Sequence, residues 1–107
     1  MQRSFFVYIL SNCRRTVYYV GVTNSIERRY MDHLWKKDPN SFCSKYNVNE
    51  LLYFEEHDSS LYAIQREKQL KKWRREKKLN LIKTINPEMK NIFRSQRDPS
   101  APYSRSG

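Results

Sequence analysis

The stretch from Phe5 to Val22 decides the fold: Phe5-Phe6-Val7-Tyr8-Ile9-Leu10, the polar run Ser11-Asn12-Cys13-Arg14-Arg15, then Val17-Tyr18-Tyr19-Val20-Gly21-Val22. β-Branched and aromatic residues suit a pleated, half-buried surface, and two such runs split by a short polar segment read as a β-hairpin. Side chains alternate along a strand. Phe6, Tyr8 and Leu10 therefore share one face of the first strand, and Tyr19 and Gly21 share one face of the second.

Past the hairpin the period changes. Asn24 and Ser25 are N-cap residues, and Ile26, Tyr30 and Leu34 recur at helical spacing, which predicts a helix to about Lys37, ended by the cluster Asp38-Pro39-Asn40-Ser41. A loop carrying Lys45 and Tyr46 leads to a third strand near Leu51 to Glu56. Asp58-Ser59-Ser60 caps a second helix from about Leu61 to Arg75, with Ala63, Ile64, Leu70 and Trp73 as its apolar stripe. A third helix spans roughly Lys77 to Ile85 and stops before Pro87, because the residue preceding a proline avoids the α region. The order strand, strand, helix, strand, helix, helix gives an α+β class: a small three-stranded, largely antiparallel sheet flanked by helices.

A chain of 107 residues suits one compact domain, since domains commonly run to roughly 100–150 residues. Residues 1–93 carry its apolar content. From Arg94 to Gly107 there is almost nothing to bury, and a disordered tail is expected. No run of residues approaches the roughly 20 apolar positions of a membrane-spanning helix. The two cysteines, Cys13 and Cys43, have no metal-ligand spacing, and the N-terminus lacks the regions of a signal peptide, so reduced thiols in the cytoplasm are the expectation.

The charge balance narrows the partner. Twenty-one Lys and Arg against eleven Asp and Glu leave +10, which favours a polyanion because each neutralised phosphate releases counterions. Eight basic and two acidic residues lie between Arg66 and Lys78, so this one segment holds +6 of the excess. Lys68, Lys71, Lys72 and Arg75 are assigned to a helix face away from Glu67, where they would track a phosphate backbone, with Arg14, Arg15 and Lys45 adding to the footprint. No base-reading motif is evident, so structure-selective or weakly specific recognition is expected.

Polar groups on apolar stripes mark candidate chemistry. Arg29 and His33 fall beside Tyr30 and Leu34 on the first helix, and Glu67 falls between Ala63, Ile64 and Leu70 on the second. The same spacing also serves a plain Arg29–Glu67 ion pair that ties two helices, and Tyr8 and Tyr19 are equally ordinary strand residues. Phosphodiester hydrolysis needs a group to deprotonate the nucleophile, a cation for the developing charge and a metal on a hard oxygen. Tyr8 or His33, Arg29 and Glu67 are candidates for these.

The arrangement resembles the GIY-YIG nucleases, in particular their short bacterial stand-alone branch. Val7-Tyr8-Ile9 stands at the first element and Tyr19-Val20-Gly21 at the second. Arg29 follows eight residues after Gly21, with His33 in the arginine-x-x-x-histidine arrangement. The segment Ala63 to Lys71 is similar to the helix bearing the metal-binding glutamate, and Asn86-Pro87 to the closing asparagine element. Two departures stand out: Met89 and Asn91 replace the tryptophan and aspartate common in that closing element, and Val22 stands where some relatives have a lysine.

The resemblance implies a cleft where Tyr8, Tyr19, Arg29, His33 and Glu67 converge, supported by Asn86. It implies Tyr8 as base or water-positioner, Tyr19 on the phosphate or the base, Arg29 on the transition state, His33 as base or relay, and Glu67 holding one Mg²⁺ or Mn²⁺. The expected activity is a metal-dependent endonuclease acting on nucleic acid, DNA before RNA, in repair or recombination, with a partner protein for targeting. The alternative is a non-catalytic nucleic-acid-binding module on the same fold.

Overall fold

A computed structural model describes residues 4–29 and 45–92. Three strands, β1 (Phe5–Ser11), β2 (Tyr18–Thr23) and β3 (Glu50–His57), precede two helices, α1 (Ser60–Lys72) and α2 (Arg75–Ile85). Residues 26–29 are also helical. The sheet is antiparallel in the order β2-β1-β3, so the first strand is central and both neighbours are edges. This is the expected α+β architecture, with β1 one residue and β3 two residues longer than their apolar runs and β2 shifted by one residue toward the C-terminus. The expectations for His33, for most of the first helix and for a tail at 94–107 lie outside the described residues.

The hairpin is closed by side chains. Asn12 Oδ1 accepts from the Thr16 and Val17 amides at 2.9 and 3.1 Å, and Arg15 takes a left-handed φ of 59°. Ser11 is fully buried yet satisfied, because its hydroxyl donates to the Val17 carbonyl at 2.9 Å.

Each face of the sheet has its own core. Val7, Ile9, Val20, Leu52 and Tyr53 pack with Ala63 and Leu70 of α1 and Ile82 of α2. On the opposite face Tyr8, Leu10, Leu51 and Val48 pack with Tyr19, Ile26, Phe54 and Ile92. Leu52 and Tyr53 are neighbours in sequence yet both belong to the helical-face core, which simple alternation forbids. Leu51 pairs with Leu10 and Tyr53 with Ile9, so Leu52 is the extra residue of a β-bulge and points to the helical face with Tyr53.

Two helix expectations need correction. The second helix does not reach Arg75: it ends at Lys72, Trp73 turns extended (φ −73°, ψ 146°), and a new helix starts at Arg75. Trp73 packs against the helical-face core, with the Arg66 guanidinium 5.2 Å and the Lys77 ammonium 4.3 Å from its ring centre. Tertiary packing of this one ring sets the break without a glycine or proline. The apolar stripe of α1 is also narrower than expected, since Ile64 is exposed. Among the described residues, no helix is long and apolar enough to cross a membrane.

Candidate functional site

Tyr8 stands at the middle of the central strand with Gly21 directly opposite on β2. A Cβ on Gly21 would lie 2.4 Å from the Tyr8 hydroxyl oxygen, 2.5 Å from its ring and 2.9 Å from the Tyr19 ring. Only glycine leaves room for the phenol to lie across β2. The Tyr19 ring, two residues earlier on the same face, has its centre 6.3 Å from that of Tyr8.

The helical turn at 26–29 brings in the cation. Ser25 caps it: its hydroxyl accepts from the Arg28 amide at 3.2 Å, its carbonyl from the Arg29 amide at 3.1 Å, and Thr23 at the end of β2 bonds both its amide and its carbonyl. Entry from β2 into the helix is thereby fixed. Arg29, half-buried, donates from Nε to the Tyr8 hydroxyl oxygen at 3.0 Å. A guanidinium donating to a phenol oxygen stabilises negative charge there.

Glu67 comes from the other side of the sheet. It is held within α1 by Ser59, whose hydroxyl accepts from the Leu61 amide at 3.2 Å, and by burial of Ala63 and Leu70. Its carboxylate is mostly covered and pairs with Lys71 Nζ at 2.8 Å. The hydrogen bond to Glu67 holds Lys71 above the usual lysine pKa against the opposing effect of burial, and the charges of Glu67 and Tyr19 add to the rise. Because β2 is an edge strand, a helix on one face can meet a side chain from the other around that edge.

The structure brings Tyr8, Tyr19 and Arg29 into one group, while Glu67 pairs with Lys71 on α1, the helix packed on the opposite face of the sheet. The alternative ion pair is not formed: Glu67 pairs with Lys71, and Arg29 bonds Tyr8. The placing of Lys71 on a face away from Glu67 is corrected. An i, i+4 spacing sets the two side chains one above the other, and this arithmetic was available from the sequence.

Asn86 sits elsewhere. Its side chain donates to the carbonyls of Leu52 (2.9 Å) and Lys90 (2.7 Å) and accepts from the Lys90 amide (3.1 Å), while Asn91 Oδ1 accepts from the Leu51 amide at 3.0 Å. The two asparagines seal the outer edge of β3 at its bulge. Arg15 is likewise engaged, with Glu50 at 2.8 Å and the carbonyls of Asn12 and Met89 at 2.7 and 2.8 Å. Arg75 donates to the Thr16 carbonyl at 2.9 Å and lies 5.8 Å from the Tyr18 ring centre. Arg14, Lys68 and Lys72 are exposed, as is Lys45, whose ammonium lies 5.8 Å from the ring centre of Tyr46.

A polar cluster on the helical face escaped the sequence reading. Glu55 accepts from the Tyr53 hydroxyl (2.7 Å) and from Arg66 Nε (3.0 Å), and lies 2.7 Å from His57 Nε2. Burial acts to raise the Glu55 pKa, but the bonds from Tyr53, His57 and Arg66 outweigh it and hold the carboxyl below its usual value. Burial and the Glu55 bond push the Tyr53 phenol up to about 12. The period-two spacing of Tyr53, Glu55 and His57 was the available signal.

A divalent ion has one carboxylate here, Glu67. No group of three His, Cys, Asp or Glu side chains occurs among the described residues. That donor set fits Mg²⁺ or Mn²⁺, which keeps waters and takes substrate phosphate, and does not fit a closed protein cage.

The model of the GIY-YIG catalytic domain matches residues 4–80. The chain is similar to a UPF0213 protein of Syntrophus aciditrophicus (strain SB), 37% identical over 83 residues that cover 78% of this chain and 93% of that protein. Its fold is similar to the solution NMR structure of a UPF0213 protein from Bacillus halodurans, with a TM-score of 0.53 and 23% identity, covering 85% of this chain and 95% of the other.

Proposed function

Because the chain belongs to the GIY-YIG nuclease family, whose substrate is nucleic acid, we propose that it is a metal-dependent endonuclease that hydrolyses phosphodiester bonds, in DNA before RNA. The observation that carries this reading is the Arg29 Nε bond to the Tyr8 hydroxyl, made beside Gly21 and the Tyr19 ring. A phenol and a guanidinium at one point supply a proton acceptor and a fixed positive charge for phosphoryl transfer.

Glu67 would hold one Mg²⁺ or Mn²⁺. The ion supplies charge stabilisation at the phosphoryl oxygens when bound. Tyr8 acts as the phenolate that the Arg29 guanidinium stabilises: it positions the attacking water, takes its proton and becomes the neutral phenol. The positive charge of Arg29 also stabilises the non-bridging oxygens as charge accumulates on them. Tyr19 orients the phosphate against Tyr8, and His33 relays the proton. Asn86 is assigned support of β3 and no contact with substrate. Exposed Lys68, Lys72 and Arg14 track the backbone, which gives affinity without base sequence and suits branched or flapped substrates of repair and recombination.

The test is cleavage of flapped and branched duplexes with Mg²⁺ or Mn²⁺ by the wild type, Glu67→Ala and Arg29→Ala. Loss of cutting in both variants with binding retained is the expected result. Wild-type protein that binds but cuts neither DNA nor RNA with either metal overturns it in favour of a binding module.

A further inference from the structure

Glu67 and Lys71 are one turn apart on α1, and the two ends of their ion pair are unequal. Glu67 keeps 18% of its side-chain surface exposed and Lys71 keeps 51%. The carboxylate is fixed by its surroundings, while the ammonium rides on a flexible stem that reaches water. Lys71 is the more exposed partner, so its ammonium is open to a second anion while the Glu67 carboxylate stays covered.

We infer that the Lys71 ammonium is the resident counter-cation of Glu67, held where a divalent ion would bind, and that substrate phosphate draws it away, so that metal loading and nucleic-acid binding are coupled through Lys71. The inference rests on the reading of Glu67 as the metal ligand. One carboxylate does not hold an ammonium and a dication at once without strong repulsion between the two cations. Partly exposed i, i+4 pairs are weak, so the ammonium leaves at little cost once a second anion is offered. A phosphodiester is that anion. By reciprocity, whatever factor substrate adds to metal affinity, metal adds to substrate affinity.

The experiment measures Mn²⁺ binding by titration of the free-ion electron paramagnetic resonance signal, without nucleic acid and with a phosphorothioate-blocked DNA duplex. Wild type is compared with Lys71→Met, Lys71→Arg, Lys72→Met and Glu67→Gln, each confirmed folded by circular dichroism. Without DNA, Lys71→Met is expected to bind Mn²⁺ about tenfold more tightly than wild type, the screened effect of a unit charge about 6 Å from a dication in water. Lys71→Arg keeps the wild-type affinity, and Lys72→Met, which removes the same charge elsewhere on α1, changes it little. DNA then tightens Mn²⁺ binding less in Lys71→Met than in wild type.

Equal affinities for Lys71→Met and Lys72→Met overturn the coupling while Glu67 remains the ligand. Unchanged binding in Glu67→Gln, or no binding in any form even with DNA, overturns the ligand assignment and the inference with it.

Discussion

The Tyr8 phenol lies across Gly21, so close that a single added carbon on the glycine would stand 2.4 Å from the phenol oxygen. The glycine is therefore the seat of the tyrosine. Gly21→Ala must push the ring off β2 or spread the central strand pair, and because the phenol also holds Arg29, both groups move together. Overpacking of this kind costs about 1–3 kcal/mol of stability. Activity should fall further, by about 100-fold or more, since displacements near 1 Å carry losses of that size. Thermal unfolding and cleavage rates measured side by side check this, and a variant that melts lower but cuts normally would separate the seat from the chemistry.

Arg29 acts through a fork, so charge alone should not replace it. Arg29→Lys keeps a cation but has no second donor in the guanidinium plane to hold Tyr8 and a phosphate together. Loss of one preorganised donor costs about 10²–10³ in rate. Both Arg29→Lys and Arg29→Ala are expected to lose cleavage on that scale with binding retained. Full activity in Arg29→Lys would show that the Tyr8 bond is dispensable.

The adjacent arginines of the hairpin should behave in opposite ways. Arg15 ties the hairpin to Glu50 of β3 and to the Met89 carbonyl, while Arg14 is exposed. Arg15→Ala is expected to lower stability by about 1–3 kcal/mol, because its partners are left partly buried, and to leave the salt dependence of DNA binding unchanged. Arg14→Ala is expected to leave stability unaltered and to reduce the slope of log affinity against log salt by about one. Denaturant melts and binding at several salt concentrations distinguish them, and a reversed pattern would move the footprint to Arg15.

What the sequence makes legible is what period and local chemistry fix. Alternation along Phe5–Ser11 and Tyr18–Thr23 sets Tyr8, Tyr19 and Gly21 on one face, and Ser25 marks the start of the helix that carries Arg29. The bulge at Leu52 is not legible, because Leu51, Leu52 and Tyr53 are all apolar and nothing in them says which residue is extra. Nor is the break at Trp73, which has no glycine or proline and is set by how the ring packs against the core and its two cations. Arg15 and Asn86 read as functional polar residues, yet both are engaged by backbone carbonyls far away in sequence. Only the folded chain brings those partners near.

The Tyr53–Glu55 pair ties stability to pH at both ends. Tyr53 is 6% exposed, and burial together with the Glu55 bond raises its pKa from 10.0 to about 12. A folded pKa above the unfolded one means a contribution fully present below pH 10 and lost as pH rises toward 12, at about 1.4 kcal/mol per pH unit. Glu55 has the opposite sign: burial is outweighed by bonds from Tyr53, His57 and Arg66, its folded pKa lies below 4.5, and its contribution is present above that pH and lost as pH falls through the folded value. Tyr53→Phe removes the alkaline contribution and takes one donor from Glu55. The stability gap between wild type and Tyr53→Phe should therefore be steady near neutral pH and close between pH 10 and 12. Urea melts across that range, with phenolate absorbance followed in parallel, test this, and a gap that stays constant to pH 12 would mean that Tyr53 titrates in the folded protein as it does in the unfolded chain.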